Sequence, residues 1–155
     1  MPWSPAIGYD SIYPWIFWSD YHGSERPRHL IPVEAEMWYR FRDLFPLRYD
    51  LVAYDVNVGE GDIPAGMWTP EMRRMIWILT SGRIDILGYK DGRLELLEIK
   101  RFAHFSAVGQ CLCYNKLLHD TCGEMPYAWP FVVTERLKVD MGSCCESMGI
   151  GTIIV

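Results

Sequence analysis

Residues 83–100 constrain the fold most strongly, because they have the pattern of a strand, a tight turn and a second strand. Asp91-Gly92 is a favoured dipeptide for a two-residue type I′ turn, in which both central residues need positive φ. With this loop, Asp85 lies directly opposite Glu98, and a four-residue loop around the same dipeptide gives the same register. The segment therefore predicts a β-hairpin that carries two carboxylates at facing positions.

The facing acids indicate a bound cation. Like charges directly opposite each other destabilise a sheet. A divalent ion reverses that penalty, since Mg²⁺ is held by one or two carboxylates together with waters and substrate phosphate. Strand alternation places Lys100 on the face of Glu98 and four aliphatic side chains on the opposite face: Ile84, Ile86, Leu97 and Ile99. The alternative is a solvated face that bears ordinary charges.

Two motifs support a family resemblance. Ile84-Asp85, twelve intervening residues and Glu98-Ile99-Lys100 resemble the core of the PD-(D/E)XK nuclease superfamily, with Ile84 in place of the nominal proline. Downstream, Gln110-Cys111-Leu112-Cys113-Tyr114 matches the Q-x-x-x-Y pattern of the RecB-like branch. The resemblance covers about residues 32–135. It implies an α/β fold with a restriction-endonuclease-like core, in which a central mixed β-sheet is flanked by helices in the order αβββαβ.

The resemblance also implies a set of active-site residues. Asp85 and Glu98, with the Ile99 backbone carbonyl, would bind Mg²⁺ or Mn²⁺, which activates water and stabilises charge on the scissile phosphate. Lys100 would position or deprotonate that water, or stabilise the phosphorane. Gln110 would hydrogen-bond a metal-bound water or a phosphate. The predicted nucleic-acid contacts are Tyr114, Arg83 and Arg101.

Glu34 is a further candidate ligand, on the first predicted helix. Pro32 suits the first turn of a helix from about Val33 to Phe45, with an apolar stripe formed by Met37, Trp38, Phe41, Leu44 and Phe45. Glu34 borders this stripe, whereas Glu36 lies on the polar side. We therefore prefer Glu34 as an additional active-site acid that holds a second ion or the nucleophilic water. The alternative is that Glu34 only favours the helix N-terminal dipole.

The pattern along the chain predicts a single nuclease-like domain over residues 1–155. An aromatic-rich arm at about 1–31 is expected to pack against the domain or a partner subunit rather than stack with bases. A first strand at 49–58 is followed by an insertion at about 59–81, in which Thr69-Pro70 begins a short helix. A helix at about 104–120, a strand at 129–134 and a last buried strand at 149–155 complete the prediction.

Composition limits the partners and the compartment. The net charge of −5 argues mildly against indiscriminate nucleic-acid binding, although a local basic rim around the acidic site is compatible with it. Five cysteines and no export signal suggest free thiols and a cytoplasmic location. Some RecB-like nucleases hold an iron–sulfur cluster with one Cys before the nuclease core and three after it. Here no Cys precedes Cys111, so we expect no such cluster. The apolar runs are too short for a membrane span.

These features favour a Mg²⁺- or Mn²⁺-dependent deoxyribonuclease of the RecB-like exonuclease or end-processing type. The small size and compact hairpin also resemble Holliday-junction resolvases, which act as dimers, so a structure-specific endonuclease that forms a homodimer is a second interpretation. A module that keeps the nuclease fold and binds DNA or protein without catalysis is the competing class. A third alternative is an unrelated α/β protein with an accidental motif. A compact nuclease of this kind would suit a phage or mobile element.

Overall fold

The computed structural model describes residues 3–10 and 12–155. In this part of the chain, four α-helices and nine β-strands follow each other along the sequence. They are β1 (Gly8–Tyr9), β2 (Phe17–Asp20), α1 (Pro32–Leu44), β3 (Leu51–Val58), α2 (Pro70–Thr80), β4 (Gly82–Lys90), β5 (Arg93–Ile99), β6 (Phe102–Ala103), α3 (Phe105–Thr121), β7 (Ala128–Thr134), β8 (Arg136–Leu137), α4 (Met141–Ser147) and β9 (Gly151–Ile154).

A seven-stranded mixed sheet forms the centre, with strand order β1-β2-β3-β4-β5-β7-β9. Strands β1 to β5 pair with antiparallel neighbours, and β7 pairs in parallel with both β5 and β9. Strands β6 and β8 form a separate two-stranded parallel sheet. The order α1, β3, β4, β5, α3, β7 is the αβββαβ order of a restriction-endonuclease-like core, so the predicted fold class is confirmed.

Two apolar clusters flank the central sheet. Trp38 and Phe41 of α1 pack with Leu97 of β5 in one cluster. Cys111 and Leu118 of α3 pack in the other cluster, which contains a larger set of strand residues. The helices therefore cover the two faces of the sheet, and the end of β5 that carries Glu98 and Lys100 lies close to both.

The predicted hairpin register is confirmed. Strands β4 and β5 pair from Ile86 opposite Leu97 to Lys90 opposite Arg93. The turn residues Asp91 and Gly92 have φ values of 49° and 79°, as a type I′ turn requires. The paired register ends at Ile86 and Leu97, and Asp85 stays close to the end of β5, because its Oδ2 atom accepts a hydrogen bond from the Ile99 N–H.

The predicted alternation fails where Asp55 faces Asp85. Strands β3 and β4 pair on both sides of this position in an unchanged register, but Asp55 has a left-handed φ of 55°. The register is kept, but the alternation of side chains between the two faces shifts by one residue in both strands. Ala53 and Val56 of β3 lie in the α3-side cluster, and so do Leu87 and Ile84 of β4. The prediction that Ile84 lies on the opposite face is therefore wrong, because the distortion turns its side chain towards α3. Ile86, Leu97 and Ile99 lie in the α1-side cluster.

The other elements lie close to their predicted positions, with two corrections. Pro32 opens α1, and the Thr69 hydroxyl accepts a hydrogen bond from the Met72 N–H at the start of α2. Leu44 is 59% exposed, because it is the last residue of α1, where the chain turns away from the core. The final strand β9 pairs with β7 at the edge of the described sheet and is therefore half-exposed rather than buried.

The aromatic arm packs onto the sheet. Strand β2 pairs with β3 and extends the central sheet. Ile16, Trp18 and Tyr21 are fully or almost fully buried. Among the described residues, no helix combines the length and apolar character that crossing a membrane would demand.

Candidate active site

A cleft of about 310 Å³ at the end of the β4–β5 hairpin brings together six of the predicted site residues. Asp85 and Glu98 come from the two strands of the hairpin, and Lys100 follows directly after β5. Gln110 and Tyr114 are one turn apart on α3, which places them on the same helical face. The predicted residues that line the cleft are Arg83, Asp85, Glu98, Lys100, Gln110 and Tyr114.

Both carboxylate oxygens of Asp85 have neighbours. The side chain is 2% exposed. Its Oδ2 atom accepts a hydrogen bond of 2.7 Å from the Ile99 backbone N–H. Its Oδ1 atom lies 2.6 Å from Nε2 of His29. These contacts fix the Asp85 carboxylate against the neighbouring strand.

Glu98 is compensated on one side only. It is 1% exposed, and its Oε1 atom lies 3.1 Å from the Lys100 ammonium. The Oε2 atom is buried and has no hydrogen-bond partner among the described residues. Burial, and secondly the charge of Asp85, raise the pKa of Glu98 to about 8, although Lys100 opposes the shift. The raised pKa favours the protonated form of Glu98 at neutral pH, and a bound cation would take the place of this proton.

Lys100 is held in its charged form. Burial lowers the pKa of Lys100, but the carboxylates of Asp85 and Glu98 outweigh it and raise the pKa above its ordinary value. Glu34 adds to this effect and also raises the pKa of Glu98. Without a cation, Lys100 is thus an ammonium that donates hydrogen bonds rather than a free amine.

The donor set suits a hard divalent cation. Carboxylate and carbonyl oxygens are the ligands that Mg²⁺ prefers, and it completes its shell with waters and phosphate. The uncompensated Oε2 of Glu98 is one such donor, beside Asp85. No group of three or more His, Cys, Asp or Glu side chains is arranged to hold a metal in the described part of the chain. Two carboxylates are a donor set that Mg²⁺ accepts when waters and phosphate complete its shell.

His29 and Asp55 are additional residues at this site that were not predicted from the sequence. His29 stands between two acids: Nε2 faces Asp85, and Nδ1 contacts the carboxylate of Asp55. The second oxygen of Asp55 accepts a hydrogen bond of 2.9 Å from the Arg28 backbone N–H. Asp55 could have been found by extending the strand pairing across Asp85, whereas no local pattern marks His29.

Glu34 and Arg101 are outside the cleft lining. Glu34 lies half-buried in the first turn of α1 and acts on the site through its charge. Arg101 is about half-exposed and its Nε atom donates a hydrogen bond of 3.0 Å to Glu135. In this arrangement, Arg101 contributes to a surface ion pair rather than to the wall of the cleft.

The topology is that of a restriction-endonuclease-like core, and Asp85, Glu98 and Lys100 lie in one cleft of it. No family model matches the chain, and no curated protein is significantly similar to it. Two solved structures are similar in part. A repair endonuclease from Pyrococcus abyssi is 27% identical over 47% of this chain and 32% of its own, with a TM-score of 0.42. A protein of unknown function is 14% identical over 76% of this chain and 55% of its own, with a TM-score of 0.45.

Proposed function

We propose that this chain is a metal-dependent nuclease that hydrolyses phosphodiester bonds in DNA. The observation that carries the proposal is the convergence of Asp85, Glu98 and Lys100 in one cleft, where a buried oxygen of Glu98 has no hydrogen-bond partner within residues 3–10 and 12–155. Ionising a buried carboxyl group that is compensated at one oxygen only is energetically costly. A bound cation would supply the missing charge.

Asp85, Glu98 and the Ile99 carbonyl would hold Mg²⁺ or Mn²⁺. Bound there, the ion would lower the pKa of a coordinated water and offset charge on the phosphate. Glu34, whose charge already acts on Glu98 and Lys100, would orient a second water-bound ion or the nucleophilic water.

The side chains around the carboxylates would act on the substrate. The Lys100 ammonium would orient the attacking water and donate a hydrogen bond to the phosphorane oxygens, since its raised pKa favours donation over proton abstraction. Gln110 would donate from its amide to a phosphate oxygen. Tyr114 and Arg83 line the same cleft and would position the nucleic-acid backbone, with Arg101 contacting it further out.

The presence of Gln110 and Tyr114 in the same cleft supports the RecB-like type, an exonuclease or end-processing enzyme. One observation favours a second candidate, a catalytically silent DNA- or protein-binding module. His29 occupies Asp85 Oδ1 at 2.6 Å, so a cation that needs this oxygen must share or displace the imidazole. Intact Asp85, Glu98 and Lys100 favour the active enzyme.

The test is cleavage of end-labelled single-stranded, duplex and branched DNA with Mg²⁺, Mn²⁺ or EDTA. The variants are Asp85→Ala and Lys100→Ala, and Asp91→Asn in the turn of the same hairpin is the matched control. We expect metal-dependent cutting that both alanine variants lose and the control keeps. The preferred substrate distinguishes an end-processing enzyme from a junction resolvase.

A folded wild-type protein that is as inert as Asp85→Ala on every substrate, but still binds DNA or a partner, would support the silent module instead. Retention of cutting by both alanine variants would refute the assigned site.

A further inference from the structure

Helix α2 forms an apolar wall of the catalytic cleft. No residue of α2 is fully buried. Ile78 and Leu79 line the cleft beside Arg83 and Glu98, although they are 42% and 76% exposed. A phosphate gains nothing from contact with such a wall, whereas a base or sugar does.

A second cleft lies on another side of the same helix. It has a volume of about 500 Å³ and is lined by Trp15, Trp77, Arg73 and Arg74, among others. This volume is within the roughly 300–1,000 Å³ range of small-ligand sites. The Trp15 and Trp77 rings meet edge to face with centroids 5.7 Å apart. Trp77 is fixed by a hydrogen bond of 2.8 Å from its Nε1 atom to the Gly59 carbonyl.

The charges around the second cleft suit a phosphate. Neither Arg73 nor Arg74 forms an ion pair with any residue that the structure describes. Arg74 lies one helical turn before Ile78, so the two side chains are neighbours on the helix surface. A continuous path therefore leads from the apolar wall of the catalytic cleft over Arg74 to Trp77.

A depression lined by three acids borders this path. Glu60 and Asp62 line it together with Asp120, whose charge is offset by an ion pair with Lys116. It shares Gly59 with the tryptophan cleft and Ser81 with the catalytic cleft. These carboxylates would repel a second phosphate backbone placed beside the first. Repulsion of this kind is a common source of specificity.

We propose that α2 guides single-stranded DNA. An unpaired nucleotide next to the scissile bond packs on Ile78 and Leu79, Arg74 binds the following phosphate, and the next base enters the second cleft and packs against Trp77. The proposal rests on the proposed nuclease function and narrows its substrate to single strands or unpaired ends. Two observations support it: α2 lines both clefts, and the Arg73 and Arg74 guanidinium groups, which have no ion-pair partner in the described structure, carry the charge that binds phosphate.

The test is fluorescence anisotropy with an end-labelled single-stranded oligonucleotide and the blunt duplex of the same sequence, in EDTA so that no cleavage occurs. The variants are Trp77→Leu and Arg74→Gln. Arg136→Gln, which changes an arginine that lines neither cleft, is the charge-matched control. Thermal unfolding of each variant confirms that it is folded.

We expect the wild type to bind the single strand at least tenfold more tightly than the duplex. Trp77→Leu should weaken single-strand binding about tenfold, because stacking on an aromatic ring contributes strongly for each base. Arg74→Gln should weaken it by a similar factor of about ten at low salt, because it removes a phosphate contact. Arg74→Gln should also reduce the slope of log affinity against log salt by about 0.7, the value for one phosphate contact on a single strand. Trp77→Leu and the control should leave that slope unchanged.

If the variants bound the single strand as tightly as the wild type does, the proposed role of α2 would be refuted. Tighter binding of the duplex than of the single strand by the wild type would also refute it. If deoxynucleoside monophosphate competes at the same concentration as the oligonucleotide, the tryptophan cleft is a mononucleotide site and the guide is refuted. In each of these cases, metal-dependent cleavage that Asp85→Ala abolishes would leave the proposed nuclease function standing.

Discussion

Replacement of Glu98 by Gln should stabilise the cation-free protein while removing its proposed function. The carboxylate is 1% exposed, and one oxygen has no partner in the described structure. Glutamine has nearly the same shape and carries no charge. The variant therefore removes the cost of an ionisable group at this position without opening a cavity.

The size of the effect follows from the pKa of Glu98. The pKa rises from 4.5 in the unfolded chain to about 8 in the folded protein. Below about pH 4.5 both states hold the proton, and stability is unaffected. As the pH rises towards 8, the unfolded chain ionises first, so the folded state becomes progressively less stable. At 1.36 kcal/mol per pH unit, the cost at pH 7 is about 3 kcal/mol.

Thermal and urea unfolding in EDTA at pH 4, 7 and 8 would measure this effect, with Glu36→Gln on the exposed side of α1 as control. We expect Glu98→Gln to raise Tm at pH 7 by roughly 6–12 °C, given the usual 2–4 °C per kcal/mol for a chain of this size. The gain should vanish near pH 4. Mg²⁺ should stabilise the wild type but not the variant. A variant that is no more stable than the wild type at pH 7 and 8 would refute the reasoning.

Three further predictions concern the same region. Mg²⁺ affinity, measured by calorimetry, should rise up to tenfold per pH unit between about pH 6 and 8, because Glu98 must release its proton before it binds the ion; a flat profile would contradict this. Asp55→Ala should lower the free energy of unfolding by about 2–3 kcal/mol, since it removes the acceptor for the Arg28 N–H and places Ala at positive φ; Asp55→Asn, which tolerates that conformation, should cost less. Gly88→Ala should cost about 3 kcal/mol or more by urea unfolding, because its Cβ atom would lie 2.4 Å from the Tyr49 ring; a near-neutral result would mean that the ring moves freely.

The parts of the fold set by local chemistry could be predicted from the sequence. Asp91-Gly92 selects its turn because both residues adopt positive φ, and the turn fixes the register of the hairpin from Lys90 opposite Arg93 to Ile86 opposite Leu97. Pro32 similarly marks the first turn of α1. Such signals act within a few residues, so no knowledge of tertiary contacts is needed to interpret them.

The position of Ile84 and the contact of His29 could not be predicted in this way. Ile84 changes faces because Asp55, on the neighbouring strand, takes a left-handed conformation that shifts the alternation. His29 meets Asp85 across 56 residues of sequence, through an irregular segment that Asp55 anchors. Both features depend on pairing between distant segments, which periodicity within one segment does not encode.

The two acids of the hairpin are compensated unequally, and this inequality indicates the order in which a cation would engage them. The Asp85 carboxylate already accepts a hydrogen bond from the Ile99 N–H and contacts the His29 imidazole. A cation would therefore gain less interaction energy at Asp85 than at Glu98. Among the described residues, Glu98 has Lys100 at one oxygen and no hydrogen-bond partner at the other. An incoming ion would therefore gain most by contacting Glu98 Oε2 first. It could reach Oδ1 of Asp85 only by sharing or displacing His29, which couples cation binding to the position of the segment that Asp55 anchors.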